Sequence, residues 1–233
     1  MPGVARENYW FRRHEAAYAW IAHRFDLVGA SIVDAGSGEG YGANILLQAG
    51  AGEVTALEYD ESAAAHSRAT YPGVTTIRSN LDAMPLADAS ADVIVTMQVI
   101  EHLWDLPRFL GECRRVLRPG GLLVAATPNR LTFSPGVGRG QKPANPFHVE
   151  EFDADQIAGM LTSAGFADVE LWGVHHGPGI REGVVQRQVD AMLADSWSPD
   201  LLNEVARVRV ADFELRTERI DHCLDLIGVA RRP

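Results

Sequence analysis

The stretch VDAGSGEGYGA, Val33 to Ala43, decides the fold. Ser31, Ile32 and Val33 form an apolar run that reads as a short buried strand. Asp34 with Gly36, Gly38 and Gly40 reads as the tight turn leaving it, and a helix begins near Tyr41. Glycine permits φ > 0 and leaves room for a ligand pressed against the main chain. The free N–H groups at the helix start can hold a carboxylate or a phosphate, with Asp34 as an acceptor beside them. Taken alone the turn is ambiguous, because Gly38, Gly40 and Ala43 also satisfy the dinucleotide fingerprint G-x-G-x-x-G/A.

Working outward, strand and helix signals alternate. The helix from Tyr41 to Ala49 closes at Gly50 and Gly52, and Val54 to Leu57 forms a second strand ending in Glu58-Tyr59-Asp60. Glu58 lies about 20 positions beyond the turn, where the next parallel strand delivers a carboxylate to a ribose diol. Ser62 to Thr70 is helical, Val74 to Arg78 is a third strand, and Asn80-Leu81-Asp82-Ala83 is the loop after it. Ala91 to Val99, ADVIVTMQV, has the β-branched composition of a strand buried on both faces, and it runs into Ile100-Glu101-His102-Leu103. A helix from Pro107 to Leu117 stops at Arg118-Pro119-Gly120-Gly121, before a fifth strand from Leu122 to Thr127. Further on come a helix to about Ala164, a sixth strand from Ala167 to Val174, helical stretches from Glu182 to Asp195 and after Pro199, and a last strand from His222 to Arg231.

The alternation predicts one α/β domain over residues 1–233: a doubly wound, Rossmann-like sheet of seven strands, mostly parallel, with ligands at the carboxyl ends of the strands. Residues 1–27 supply an N-terminal helix over the site, with Trp10, His14, Ala17, Tyr18, Ile21 and Phe25 on roughly one face, which reads as core packing ahead of the alternative that Tyr9, Trp10, Arg13 or His14 lines a site. Residues 128–150 form a lid-like loop, and 178–222 a helical insertion before the last strand.

The chain has 233 residues, 46% hydrophobic and 22% charged, the size of one α/β domain with a real core. A formal net charge of −10 argues against nucleic acid or an anionic membrane as the main partner, and does not exclude a small anionic ligand. Cys113 and Cys223 lack C-x-x-C spacing and read as buried free thiols of a reducing cytoplasm. No signal-peptide core or membrane-spanning run is visible. A homo-oligomer is compatible with this composition.

VDAGSGEGYG, the acid of ALEYD, the NLDAMPL loop, DVIVTMQVIEHL and LRPGGLLVAATPN follow one another over roughly residues 31–130. In that order they resemble the successive motifs of the class I S-adenosylmethionine-dependent methyltransferases. The resemblance implies S-adenosyl-L-methionine as cofactor, S-adenosyl-L-homocysteine as product, and a last strand pairing antiparallel at the sheet edge. It implies that Asp34, Gly36, Ser37, Gly38 and Gly40 hold the methionine end. Glu58, with Tyr59 beside it, would hold the ribose hydroxyls, Asp82 and Ala83 the adenine edge, and Gln98 would lie near the sulfonium.

Methyl transfer is an in-line displacement, so the protein must align nucleophile, methyl and sulfur. An alcohol is a poor nucleophile at neutral pH and needs a base or a metal. His102, at the end of the fourth strand, and His148, after the proline- and glycine-rich segment 128–147, are the candidates. The order Q-x-x-E-H, T-P-N, H-x-x-E-F resembles the E-x-x-E-H…H pattern of metal-dependent O-methyltransferases of small-RNA 3′ ends, and its first part the O-methyltransferases of ubiquinone synthesis. That resemblance implies a Mg²⁺ site of Gln98, Glu101, His102 and His148 gripping neighbouring hydroxyls. Gln98 replaces an acid with a neutral amide, which weakens binding of a hard cation. A weak Mg²⁺ site and a plain general base, His148 or His102 with Glu101 adjacent, stand as equal readings, with structural histidines as a third.

Pro128 to Phe147 carries Arg130, Arg139 and Lys142 and no acid, which suits an anionic or polyhydroxylated substrate, while His175 and His176 are expected mostly at the surface. RLTFSPGVGRGQKPANPFHVEEF resembles an actinobacterial group of methyltransferases linked to methylated mannose polysaccharides. Together these give a cytoplasmic O-methyltransferase acting on a hydroxyl of a sugar or oligosaccharide. The competitors are a methyltransferase of a quinone or other small molecule, a nicotinamide oxidoreductase, and a non-catalytic module that keeps the cofactor pocket. Against the oxidoreductase stand the closely spaced G-S-G-E-G and the missing Tyr-x-x-x-Lys pair after the fourth strand.

Overall fold

The computed structural model describes residues 4–233. Its strands are β1 (Ser31–Ala35), β2 (Glu53–Glu58), β3 (Thr75–Arg78), β4 (Ala91–Met97), β5 (Leu117–Pro128), β6 (Ala167–His176), β7 (Phe213–Arg216) and β8 (Asp225–Arg231). The helices are α1 (Asn8–Arg24), α2 (Tyr41–Gln48), α3 (Glu61–Thr70), α4 (Leu106–Val116), the single turn α5 (Arg130–Phe133), α6 (Ala154–Ser163), α7 (Val184–Leu193) and α8 (Pro199–Ala206). The strands form one sheet in the order β3-β2-β1-β4-β5-β8-β6-β7. β1 to β5 pair in parallel, whereas β8 is antiparallel to both of its neighbours and β7 is antiparallel to β6. The chain leaves β1 toward β2 and returns to β4 on its other side, so the switch point, where such sheets bind ligands, lies between β1 and β4.

Two expectations are corrected. The sheet has eight strands and not seven, because Phe213–Arg216 adds an edge strand. Four residues with two apolar side chains are too short to show a period in the sequence. The last strand is antiparallel as expected, but it lies between β5 and β6 and not at the edge. From Asp225 to Ala230 every residue of β8 is buried, the signature of an interior strand.

Successive residues of a strand point to opposite faces, so the sheet feeds two cores. Ile32, Val93 and Val95 pack with Tyr9, Tyr18, Ile21, Leu46, Val184 and Val205 on the side of α1, α2, α7 and α8. Val33, Ile94 and Leu123 pack with Phe109, Leu110, Ile157 and Leu161 on the side of α4 and α6. Each such fully buried side chain contributes roughly 1.5–3 kcal/mol. Cys113 and Cys223 are buried free thiols. Asp60, Asp105 and Asp153 cap α3, α4 and α6 through their side chains. The start of α2 is left open, since Gly40 in the left-handed region precedes it without a side-chain cap. No helix among the described residues is long and apolar enough to cross a membrane.

Candidate active site

The glycine turn closes the carboxyl end of β1 and is stitched to β2. The N–H groups of Gly36 and Ser37 donate to the Leu57 carbonyl at 2.8 and 3.0 Å. Glu58 accepts the Gly38 N–H at 2.7 Å and the Asp60 N–H at 2.8 Å. The glycines answer to different neighbours. A Cβ on Gly36 would lie 2.3 Å from Val99 Cγ2, on Gly40 2.1 Å from Ser67 Oγ, and on Gly42 2.1 Å from the Tyr18 ring. Those three make room for protein and not for a ligand. Gly38 has φ +54° and nothing within 4 Å of a built Cβ. Ser37 Oγ beside it is buried with no hydrogen-bond partner among the described residues. An open cradle, an orphaned hydroxyl and the buried Asp34 carboxylate fit a ligand with an amino-acid end, whose carboxylate meets N–H groups and whose ammonium meets the acid.

α1 roofs this cleft through polar contacts. The Tyr18 hydroxyl donates to Asp34 Oδ1 at 3.0 Å and lies 3.3 Å from Oδ2. Burial raises the Asp34 pKa to about 7, with the Tyr18 bond opposing the shift and the Glu58 charge adding to it. His14 Nδ1 lies 3.1 Å from the hydroxyl of Tyr41, the first residue of α2. Buried Arg13 places Nε 3.2 Å from Asp225 Oδ2 at the head of β8. Gln98 Nε2 donates to the other Asp225 oxygen at 3.1 Å. Gln98 itself sits at φ +58°, a conformation that costs a residue with a Cβ about 1–3 kcal/mol and recurs at functional sites.

Beyond β4 the structure brings Glu101, His102 and His148 together, with one donor atom of each within 4.8 Å of the others. The two imidazoles meet edge to face, their centroids 4.9 Å apart. His102 Nδ1 lies 3.0 Å from the Phe147 carbonyl, which can only accept, so this nitrogen carries a proton, and in the neutral ring Nε2 is the acceptor. His148 Nδ1 lies 2.6 Å from Glu151 Oε1, and its Nε2 lies 2.9 Å from the amide nitrogen of Asn145, which donates. The partners therefore assign the same tautomer to both histidines. Glu151 is 1% exposed at its side chain, and its Oε2 has no partner among the described residues. Glu101 accepts the Thr127 hydroxyl at 3.0 Å, and burial raises its pKa to about 7 against the pull of its own N–H, His148 and Thr127.

Gln98, expected as a fourth metal ligand, directs its amide to Asp225 and not into this trio. Two imidazoles and one carboxylate are a poor cage for Mg²⁺, which takes oxygen ligands, and suit a borderline ion such as Zn²⁺ or Fe²⁺ better.

The positive charge of residues 128–147 is partly offset by ion pairs. Arg139 places two nitrogens 2.8 Å from the two Asp153 oxygens, and Arg130 pairs with the same carboxylate. Lys142 is exposed. His175 is buried, contrary to its expected surface placement, and His176 Nε2 takes the Tyr9 hydroxyl at 2.6 Å. At the adenine end Tyr59 is 69% exposed, Ala83 is exposed and Asp82 is half-buried, with its carbonyl bonded to Arg108. Sequence reasoning missed Glu151, Asp225 and the polar role of Tyr18. The i, i+3 spacing of His148 and Glu151 was the available signal for the first, and an acid heading an apolar strand for the second.

A doubly wound sheet with an antiparallel strand beside β5, a glycine cradle at the switch point and an acid at the end of β2 define a class I methyltransferase. Residues 33–125 match the family model described as a methyltransferase domain. The chain is 48% identical over 244 residues to a "probable S-adenosylmethionine-dependent methyltransferase" of Mycolicibacterium smegmatis, covering 100% of this chain and 93% of that one. It is 46% identical over 245 residues to another of that description from Mycobacterium tuberculosis, covering 100% and 87%. The crystal structure of a Thermotoga maritima S-adenosylmethionine-dependent methyltransferase, described as a possible histamine N-methyltransferase, matches with a TM-score of 0.66 at 17% identity, covering 96% and 93%, a likeness of fold. The chain belongs to the S-adenosylmethionine-dependent methyltransferases.

Proposed function

We propose that this methyltransferase acts on a hydroxyl of a sugar or oligosaccharide, a mannoside first among them, with His148 as general base. The observation that carries the reading is the His148–Glu151 pair at 2.6 Å, which holds the proton on Nδ1 and leaves Nε2 as the acceptor. Asp34, Ser37 and Gly38 take the amino-acid end of the cofactor, with Gly36 and Gly40 shaping the turn around them, Glu58 its ribose hydroxyls, and Tyr59, Asp82 and Ala83 the adenine side. When bound, the cofactor supplies an electrophilic methyl on a sulfonium. An acceptor hydroxyl replaces the Asn145 amide at His148 Nε2, gives its proton to that nitrogen, and Glu151 stabilises the imidazolium. His102 Nε2, free beside it, takes a second hydroxyl, and two adjacent acceptors suit the neighbouring hydroxyls of a sugar.

The test is transfer of labelled methyl to mannoside, quinone and small-acid acceptors by the purified enzyme. His148→Ala is expected to lower kcat about 10²- to 10⁴-fold, the usual contribution of a general base, while S-adenosylhomocysteine still binds. Undiminished turnover in that variant removes His148 from the reaction.

The trio of Glu101, His102 and His148 favours a second reading, a divalent cation that lowers the pKa of the hydroxyl. Excess chelator separates the two. Full activity supports the base alone, and a loss reversed by an added divalent cation supports the metal.

A further inference from the structure

Asp34 is 0% exposed, and among the described residues no positively charged side chain pairs with it. Tyr18 of α1 reaches it directly, Tyr41 approaches from the head of α2, and Glu58 adds a second negative charge from β2. A carboxylate buried in this way is stable as an anion only with strong donors or an incoming cation. Tyr18 is the side-chain donor, and it is held tightly: it is 3% exposed, and its ring occupies the space over Gly42. It belongs to the helix whose neighbouring residues Arg13 and His14 hold Asp225 and Tyr41.

We propose that Tyr18 is a positioning residue of the cofactor site: its hydroxyl fixes the Asp34 carboxylate for the α-ammonium of S-adenosylmethionine, and so makes docked α1 part of the methionine subsite. The ammonium supplies the missing countercharge, and Tyr18 prevents the carboxylate from turning away from the cradle at Ser37 and Gly38. Cofactor binding and the seating of α1 are then linked, each favouring the other. The inference rests on Asp34 meeting the ammonium and does not depend on the acceptor.

The experiment is calorimetric titration of the full chain with S-adenosylhomocysteine from pH 5 to 7.5, below the range where the ligand's own amine loses its proton. Wild-type affinity is expected to rise with pH across this window as Asp34 ionises. Tyr18→Phe keeps the ring over Gly42 and removes only the donor. It is expected to weaken binding about tenfold at pH 7, the effect of losing one hydrogen bond to a charged group, and to move the rise to higher pH. Asp34→Asn is expected to weaken binding further and flatten the profile, and Tyr18→Phe added to it should cost little more.

Wild-type affinity and profile in Tyr18→Phe, with only a lower melting temperature, overturn the proposal in favour of a packing role. A wild-type profile already flat from pH 5 to 7.5, or an Asp34→Asn variant that binds normally, overturns it as well. Failure of every sugar acceptor overturns the acceptor reading and leaves this binding result standing.

Discussion

At the scale of the residue, glycines that look equivalent in the sequence separate into two kinds. Gly36, Gly40 and Gly42 are pressed by Val99, Ser67 and Tyr18, whereas Gly38 faces open space. The turn was legible in VDAGSGEGYGA because its composition is local. Which glycine faces the ligand was not, because that depends on side chains from the loop after β4, from α3 and from α1. The difference predicts opposite outcomes for two alanine variants. Gly38→Ala meets only the backbone penalty of a left-handed residue, about 1–2 kcal/mol, yet places a methyl in the cradle and is expected to lose most affinity for S-adenosylhomocysteine. Gly42→Ala drives a methyl into the Tyr18 ring and is expected to lose about 1–3 kcal/mol of stability by overpacking, with a smaller effect on affinity once the protein is folded. Urea denaturation and calorimetry on both variants check the pair. Equal loss of affinity in the two would mean that the turn acts only as scaffold.

At the scale of the element, α1 shows what periodicity reveals and what it hides. Its apolar face, including Tyr18 and Ile21, was legible from helical spacing. Its buried polar residues were not, because the partners of Arg13 and His14 lie on β8 and α2, far away in the chain. β7 and the interior place of β8 escaped for a related reason: strand order is a property of pairing, and a run of four residues carries little period. α1 also gives the fold a pH sensitivity. Burial lowers the His14 pKa to about 3 and the His176 pKa to about 4. Both are neutral when folded but take up a proton from about pH 6.5 downward when unfolded, so the stability they contribute is present above 6.5 and lost as the pH falls toward 4. Asp34 and Glu101, each raised to about 7, act in the opposite sense, since protonation toward pH 4.5 favours the folded form. The wild-type melting curve therefore mixes two signs, and the difference between it and a His14→Asn variant isolates one. That difference is expected to favour the variant increasingly from pH 6.5 to 4.5, and a pH-independent difference would remove His14 from the acid response.

At the scale of the whole molecule, the two ends of the chain close the site together. Asn8 Nδ2 donates to the carbonyls of Val205 and Val208, both at 2.9 Å, which seats α1 against the insertion, and Arg13 pairs with Asp225 at the head of β8. Asp225 in turn holds Gln98 at the end of β4, so a residue near the chain start positions one in the middle through one near the end. Removing one partner of a buried ion pair leaves the other charge unbalanced and costs about 3–5 kcal/mol, whereas replacing both with apolar residues of similar size is often neutral. Arg13→Met and Asp225→Leu are therefore each expected to be strongly destabilising alone, and the double variant to recover most of the lost stability in urea denaturation. Turnover should not recover with it, because in the double variant Gln98 has lost the acceptor that fixes its amide, and kcat is expected to stay at least tenfold down, about 1.4 kcal/mol of barrier. Recovery of both stability and kcat would show that the pair serves only to seat α1, and that Gln98 needs no partner to do its part.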